Sequence, residues 1–269
     1  MQSATHLFVS PHLDDAALAC GGTIAAVTRT GQQAIILTVF AGRDRHRTLT
    51  PRAARYHAKC GMADFWTRRW EDVAACTTLG ASQVHLEFPE VLYRRDRHGR
   101  PRVHTRDDLF SSLTDDDHLV LTEVTNALVR WLARLRPTAV YGPAGFGGHV
   151  DHALTSAAIQ QVAAQPGDGS HMPLALYEEM PYAVWPDSDR TYARLRSDAT
   201  PKVREVTRED WQRKLAAIGA YRSQLRSIWN DTDWQAALRE HARELTGGRL
   251  GERTWAPATL PVVCQSAAQ

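Results

Sequence analysis

The feature that most constrains the fold is a nearly continuous apolar run, QAIILTVF, at residues 33–40. A run without polar alternation is typical of a strand that is buried on both faces of its sheet. Such burial occurs when parallel strands are joined by helices that cover both sides of the sheet. The run therefore predicts an α/β protein with a mostly parallel sheet and helices on both faces.

Other patterns along the chain agree with this prediction. Further strands are predicted at residues 6–10, 83–88, 138–143 and 173–181. Helices are predicted at residues 17–29, over most of 51–81, at 114–137, from about 152 onwards and at 207–229. Segments 93–108, 165–173 and 185–202 are predicted to be irregular, the last with room for a short strand. This alternation predicts a Rossmann-like fold, and because no stretch separates two cores, residues 1–269 are predicted to form a single domain.

The composition excludes several functional classes. Hydrophobic residues make up 43% of the 269 residues, which favours a large core over global disorder. The formal net charge of +2 gives no general argument for binding nucleic acid or a membrane surface. No apolar run approaches the roughly 20 residues that span a bilayer, and the N-terminal segment lacks the pattern of a secretory signal. We therefore expect a cytoplasmic protein with no membrane or nucleic-acid partner.

Two polar clusters follow predicted strands, which is where ligands bind in open α/β sheets. The first is PHLDD at residues 11–15, and the second is GPAGFGGHVDH at residues 142–152. Two histidines and one carboxylate are a common ligand set for Zn²⁺ that leaves positions open to water and substrate. A spare carboxylate can then take a proton from the bound water. The two clusters supply enough donors for this arrangement, namely His12, Asp14, Asp15, His149, Asp151 and His152.

Each cluster alone has a plainer explanation. A histidine and an aspartate in a turn usually form an ordinary hydrogen-bonded cap, and Asp14 or Asp15 could cap the helix that follows. The occurrence of both clusters, each after a predicted parallel strand, favours a metal site over two unrelated caps.

PHLDD followed by CGGTIA, together with GHVDH, resembles the PIG-L/LmbE-like family of metal-dependent N-deacetylases. The resemblance runs over most of the chain, with weaker matches in RRWEDVAACTTLGA and KLAAIGAYRSQ. It implies removal of an acetyl group from an N-acetylglucosaminyl-type amino sugar in a soluble metabolite, such as an antibiotic or other natural-product intermediate. The implied cofactor is Zn²⁺, with other divalent metals as alternatives.

The resemblance also assigns roles within the two clusters. It implies that His12, Asp15 and His152 bind the metal and that Asp14 is the general base. The spacing of His149 and His152 does not decide by itself which of the two is the ligand, because residues three apart at a helix start can face the same side.

The remaining cluster residues are implied to assist the reaction. His149 would stabilise the developing oxyanion or protonate the leaving amine, and Asp151 would orient His149. Some family members carry a tyrosine two residues before this histidine, where the present chain has Gly147. Three tyrosines elsewhere could replace it, and the sequence selects none of them: Tyr141, Tyr177 and Tyr182.

Three residues outside the clusters are predicted to contact the substrate. Arg68 stands three residues before Glu71 in a pattern that resembles the family, although a solvated ion pair is the alternative. Arg43 follows the second predicted strand and Glu178 leaves the fifth, with a solvated surface as the alternative for both. We expect loops after the second, third and fifth strands to form a rim that hydrogen-bonds sugar hydroxyls, completed by Asp44, Arg45, Arg94 and Glu179.

The segment 93–106 contains six arginines, but Tyr93 is its only aromatic residue apart from histidines. Base stacking is therefore poorly supported, and we expect a lid, an oligomer contact or a clamp for an anionic substrate.

Two other functions are kept as alternatives, a deacetylase or amidase of a thiol–sugar conjugate and a non-catalytic sugar-binding protein. Asp14 argues against the second because metal binding alone needs no base. The sequence leaves a homo-oligomer open.

Overall fold

The computed structural model describes residues 3–42, 49–61, 66–165, 173–185, 188–229 and 232–258. Its strands are β1 (Thr5–Ser10), β2 (Gln33–Thr38), β3 (Ser82–His85), β4 (Ala139–Pro143), β5 (Leu174–Tyr177), β6 (Ala199–Glu205) and β7 (Gly251–Pro257). They form one sheet in the order β3-β2-β1-β4-β5-β7-β6. The first five strands are parallel, and β7 runs antiparallel to both β5 and β6. The predicted mostly parallel α/β fold is confirmed.

Nine helices occur in the described part of the chain. They are α1 (Asp15–Arg29), α2 (Pro51–Cys60), α3 (Trp66–Leu79), α4 (Asp115–Leu135), α5 (Val150–Ala164), α6 (Asp189–Asp198), α7 (Arg208–Ile218), α8 (Arg222–Trp229) and α9 (Trp234–Glu244). The helical predictions at residues 51–81 and 207–229 each become a pair of helices. The first of them breaks at Gly61, whose φ of +62° caps α2 in the left-handed conformation. None of these helices combines the length and apolar character needed to cross a membrane.

The sheet is covered on both faces, as the apolar run predicts. Leu7 and Val9 of β1 pack in a cluster with Val124 of α4 and Leu154 of α5. Phe8, which lies between them in the sequence, packs on the opposite face with side chains of α1, α3 and α7, such as Ile24, Leu79 and Ala217. Successive side chains of a strand point to opposite faces, so the strand is apolar throughout because each face has its own core.

The chain changes faces between β3 and β4. Helices α1 and α3 lie on one side of the sheet, whereas α4 and α5 lie on the other. Because β1 and β4 are neighbours, a crevice opens between their carboxyl ends, at the switch point where open α/β sheets bind ligands. Both polar clusters begin there, one after Ser10 and the other after Pro143.

The Gly-Gly pair of α1 lies where three elements meet. A Cβ at Gly21 would be 2.7 Å from Cγ of Lys214 in α7, and one at Gly22 would be 2.6 Å from Cγ1 of Val206. The buried Nζ of Lys214 lies 2.7 Å from Oε1 of Glu252 in β7, and the same oxygen accepts the backbone N–H of Gly22 at 2.9 Å. The two glycines therefore let a buried ion pair reach the backbone of α1.

Candidate active site

His12, Asp15 and His152, the predicted metal ligands, lie together at the crevice. Oδ2 of Asp15 is 3.3 Å from Nδ1 of His12 and 3.3 Å from Nε2 of His152. One ligand atom from each of the three residues lies within 4.8 Å of the others. Nε2 of His152 is buried and accepts or donates no hydrogen bond among the described residues. A buried nitrogen of this kind needs a partner, and a divalent cation between the three donors fits that need.

The turn between β1 and α1 is held by short hydrogen bonds. The hydroxyl of Ser10 donates to the backbone carbonyl of His12 at 2.5 Å and accepts the backbone N–H of Ala16 at 3.0 Å. The backbone N–H of His12 donates to Oδ2 of Asp15 at 2.9 Å. Asp14 occupies the N-cap position of α1, yet its side chain makes no capping hydrogen bond. The plainer explanation of Asp14 as a helix cap is therefore not supported.

Asp14 is buried beside the ligand set and lines a cavity. Burial and the charge of Asp15 raise the pKa of Asp14 to about 6, while the nearby positive charges of Arg68 and His12 act in the opposite direction. A carboxyl group with a pKa near neutrality can both accept and return a proton at physiological pH.

Glu179, at the end of β5, lies behind His152. Its Oε1 is 3.3 Å from Nδ1 of His152, and its carboxylate accepts the backbone N–H groups of Ala144 and Gly145 at 3.0 and 2.8 Å. Burial opposes charge on His152, but Asp15 and Glu179 together raise the pKa of its imidazole to about 9. Glu179, which was expected on the substrate rim, is buried and does not line the cavity. A carboxylate in this place orients the ring so that Nε2 faces the other candidate ligands.

Asp151 also differs from its predicted role, because its carboxylate contacts His12 where contact with His149 was expected. Oδ2 lies 3.0 Å from Nε2 of His12, and Oδ1 accepts from Nη1 of Arg94 at 2.6 Å. His149 is the N-cap of α5, and its Nδ1 accepts the backbone N–H of Asp151 at 3.2 Å. Capping thus positions His149, while the hydrogen-bond contact of the Asp151 carboxylate with an imidazole is made with His12. Arg94, which was expected on the substrate rim, is buried and forms an ion pair with Asp151.

His149 lines the cavity with an imidazole that favours the neutral form. Burial and the adjacent positive charge of His12 hold the pKa of His149 well below its ordinary value. Because Nδ1 accepts a backbone N–H, the ring hydrogen of the neutral imidazole is carried by Nε2. The ring also packs edge-on against Phe110, with 5.6 Å between ring centroids. His149 can therefore donate a hydrogen bond from Nε2.

The cavity beside these residues has a volume of about 350 Å³, which is within the range of pockets for small molecules. Of the three tyrosines that the sequence leaves open, Tyr182 is the one that lines it. The hydroxyl of Tyr177 donates to a backbone carbonyl of β1 at 2.8 Å, and the ring of Tyr141 stacks on a phenylalanine of β1 at 4.4 Å. A Cβ at Gly147 would lie 2.3 Å from Cδ1 of Tyr182. The glycine that stands in place of the family tyrosine therefore makes room for Tyr182.

Two of the predicted substrate contacts, Arg43 and Arg68, have different outcomes in the structure. Arg43, together with the rest of segment 43–48, lies outside the described residues. Arg68 lines the cavity and is buried, but its guanidinium pairs with Glu90. Glu71, the partner considered from the sequence, accepts the backbone N–H and the hydroxyl of Ser223 at 2.8 and 2.6 Å. Arg68 therefore forms part of the cavity wall. Its guanidinium is held by Glu90 and not by Glu71 of its own helix, α3.

Glu178, which the sequence predicts as a substrate contact, does not line the cavity that contains Asp14. Glu178 is buried beneath the adjacent strand, where it accepts from Nε1 of Trp255 at 2.8 Å and from the guanidinium of Arg253. Nε2 of His241 lies 3.2 Å from its other oxygen. Consecutive side chains after a strand point to opposite sides, so Glu179 turns to His152 while Glu178 turns to β7.

The chain is similar to known proteins over most of its length. Residues 7–163 match the family PIG-L, described as GlcNAc-PI de-N-acetylase. The chain belongs to the PIG-L family. This PIG-L chain is 30% identical over 273 residues to the 2'-N-acetylparomamine deacetylase of Streptomyces fradiae, with 94% of the chain and 89% of the relative covered.

Solved structures of similar proteins agree with the PIG-L assignment. A deacetylase–bog complex from the biosynthesis pathway of teicoplanin has a TM-score of 0.80 at 30% identity, with 93% of this chain and 96% of that chain covered. The zinc-inhibited form of a teicoplanin deacetylase has the same TM-score of 0.80 at 29% identity, covering 93% and 97%. The likeness to these structures covers 93% of the PIG-L chain and so extends beyond residues 7–163, which match the family.

Proposed function

We propose that this protein is a metal-dependent deacetylase that hydrolyses the acetamide of an N-acetylhexosamine unit in a small natural-product intermediate. The observation that carries the proposal is the convergence of His12, Asp15 and His152 beside a cavity that Asp14 lines. The relatives support the reaction and its setting, since one is named a 2'-N-acetylparomamine deacetylase and another is a deacetylase of teicoplanin biosynthesis.

His12, Asp15 and His152 would hold one divalent metal ion, for which Zn²⁺ is the first candidate and other divalent metals are alternatives. When bound there, the ion would polarise the acetamide carbonyl and lower the pKa of a water molecule. Two carboxylates would hold the imidazoles from behind, Asp151 at Nε2 of His12 and Glu179 at Nδ1 of His152. Such outer contacts fix the ring orientation and the tautomer of metal-binding histidines.

Asp14 would move the proton in both halves of the reaction. Its carboxylate takes a proton from the attacking water as the new carbon–oxygen bond forms. The protonated carboxyl group then gives this proton to the nitrogen as the carbon–nitrogen bond breaks, and acetate and the free amine result. The pKa of about 6 suits both steps, because Asp14 is mostly deprotonated at neutral pH and still basic enough to accept.

His149 and Tyr182 would donate hydrogen bonds to the oxygen that gains negative charge. His149 can donate from Nε2 because Nδ1 is occupied by a backbone N–H. Tyr182 lines the same cavity and packs edge-on against His152 with 5.2 Å between ring centroids. Preorganised donors of this kind are worth about 10²–10³ in rate when one is removed.

The proposal is tested by measuring acetate release from N-acetylated glycosides, N-acetylated amino acids and thiol conjugates with purified protein. We expect near-stoichiometric divalent metal by elemental analysis and the highest kcat/KM for N-acetylhexosaminides. Zinc should be titrated from below one equivalent to excess, because a relative has a zinc-inhibited form. Faster turnover of the non-sugar amides would contradict the sugar assignment. Full metal content in both His12→Ala and His152→Ala would contradict the metal site.

A further inference from the structure

The cavity that contains the candidate active site has a surplus of positive charge. Among the described residues, five cationic side chains line it, Arg52, Arg55, Lys59, Arg68 and Arg106. Three carboxylates line the described part of the same cavity, Asp14, Asp15 and Glu90. Two of these carboxylates belong to the metal and proton-transfer set, and Glu90 pairs with Arg68. Among the described residues, these acids therefore leave Arg52, Arg55 and Arg106 without an ion pair.

One face of α2 supplies most of this charge. Arg52, Arg55, Tyr56 and Lys59 follow an i, i+3, i+4, i+7 spacing, so they share one helix face, and all four line the cavity. The hydroxyl of Tyr56 donates to Oε1 of Gln224 in α8 at 2.6 Å, which fixes the rotation of α2. Within the described ranges neither Arg52 nor Arg55 forms an ion pair.

Arg106 adds a cation from a different segment. Other arginines of segment 93–106 form ion pairs, since Arg94 and Arg102 both bind Asp117 of α4 and Arg100 binds Asp96. Arg106 has no ion pair in the part of the chain that the structure describes. It lines both the catalytic cavity and an adjoining groove of about 970 Å³. A ligand that extends from the cavity into this groove therefore passes Arg106.

We propose that the part of the substrate beyond the N-acetyl sugar carries a carboxylate or a phosphate that Arg52, Arg55 and Arg106 bind. This inference rests on the proposed function, because it concerns the substrate of the same cavity. Guanidinium groups pair with carboxylate and phosphate through two parallel hydrogen bonds. Partial enclosure of the cavity strengthens this attraction relative to open solvent. The same arginines repel an aglycone that carries a positive charge.

Four aryl N-acetyl-β-glucosaminides of matched size test the charge preference, with neutral phenyl, 4-carboxyphenyl, 4-phosphonophenyl and 4-(aminomethyl)phenyl aglycones. We expect kcat/KM to be at least about tenfold higher for an anionic aglycone than for the neutral one, and lowest for the cationic one. The difference should lie mainly in KM. It should shrink between about 50 and 500 mM NaCl because salt screens the attraction. Comparison of the two anionic aglycones shows which acid the site prefers.

Variants assign the preference to individual side chains. Arg55→Glu and Arg106→Gln should each lower the ratio of kcat/KM for the anionic and neutral glycosides by about tenfold. Arg130→Gln is the matched control, because Arg130 is exposed on α4 and does not line the cavity. An unchanged ratio in both cavity variants, or a cationic glycoside turned over fastest, would overturn the inference.

Binding separates this inference from the proposed function. The four deacetylated glucosaminides cannot be turned over, so calorimetry measures their affinity without catalysis. Tighter binding of the anionic products, with no acetate released from any N-acetyl glycoside, would sustain the anion site and refute the deacetylase. Acetate release without charge preference in either turnover or binding would support the deacetylase and refute the anion site.

Discussion

Asp14 and Asp15 are neighbours in the sequence, yet their surroundings separate them. Asp15 lies between two imidazoles, whereas Asp14 lies in the cavity without a capping contact. We predict that Asp14→Asn keeps the metal, because the ligands are untouched, and loses about 10²–10⁴ in kcat, as expected for a missing general base. Asp15→Asn is the control and should lose metal. Elemental analysis and acetate release measure both effects, and an emptied metal site in Asp14→Asn would require a ligand role for that residue.

As the proposed general base, Asp14 would set the acidic side of the pH profile of kcat/KM. Its pKa is raised to about 6 by burial and by Asp15, and only the deprotonated form accepts a proton. We therefore predict that kcat/KM rises as pH increases through about 6 and falls below it. Because Arg68 acts to lower this pKa, Arg68→Gln should move the midpoint of this rise in kcat/KM to higher pH. Arg68→Lys keeps the positive charge and should move the midpoint less. A profile that is flat from roughly pH 5 to 8 would exclude Asp14 as the titrating base.

Glu179 and Glu178 make a matched pair for testing the support of His152. In Glu179→Gln, an amide hydrogen would face Nδ1, which favours the wrong tautomer for a ligand at Nε2. We predict metal affinity about 10–100-fold weaker in this variant. Glu178→Gln should leave metal affinity unchanged, because its contacts go to Arg253, Trp255 and His241. Competition with a chelator measures both, and equal losses would show that Glu179 acts only through folding.

At the scale of elements, the buried pair of Lys214 and Glu252 joins α1, α7 and β7. Removing one partner of such a pair leaves an uncompensated buried charge, which costs about 3–5 kcal/mol. We predict that Glu252→Gln lowers the free energy of unfolding by this amount, and that Lys214→Met combined with Glu252→Gln costs less than the sum of the single changes. Urea unfolding of the four proteins measures the coupling. Additive effects would mean that the pair makes no cooperative contact.

The elements also show how far the sequence could predict the fold. Strands β1, β2 and β4 are predicted because burial on two faces leaves a continuous apolar run. Strand β6 is predicted only as room for a short strand within residues 185–202, because nearly all of ATPKVRE is exposed and its partner β7 lies far along the chain. Residues 185–202, expected to be irregular, contain α6 and the start of β6. Likewise, the clusters at residues 11–15 and 142–152 are visible in the sequence, but the choice between Glu178 and Glu179, or between Tyr177 and Tyr182, depends on side-chain direction.

At the scale of the whole molecule, the candidate metal site connects two parts of the chain that meet only in the folded state. His12 and Asp15 follow β1, whereas His152 lies in the first turn of α5, about 140 residues later and after β4. An unfolded chain cannot bring these donors together, so a metal ion held by them would bind the folded state far more tightly and would stabilise it by mass action.

This linkage predicts a metal-dependent melting temperature. Free metal at about 100 times its dissociation constant contributes ~2.7 kcal/mol, which corresponds to roughly 5–10 °C for a chain of this size. Chelator treatment should lower the melting temperature by this amount, and one equivalent of metal should restore it. His152→Ala should melt at the same temperature with and without metal, whereas Asp14→Asn should keep the shift because its side chain is not a ligand. A shift that survives in His152→Ala would place the stabilising ion elsewhere in the molecule.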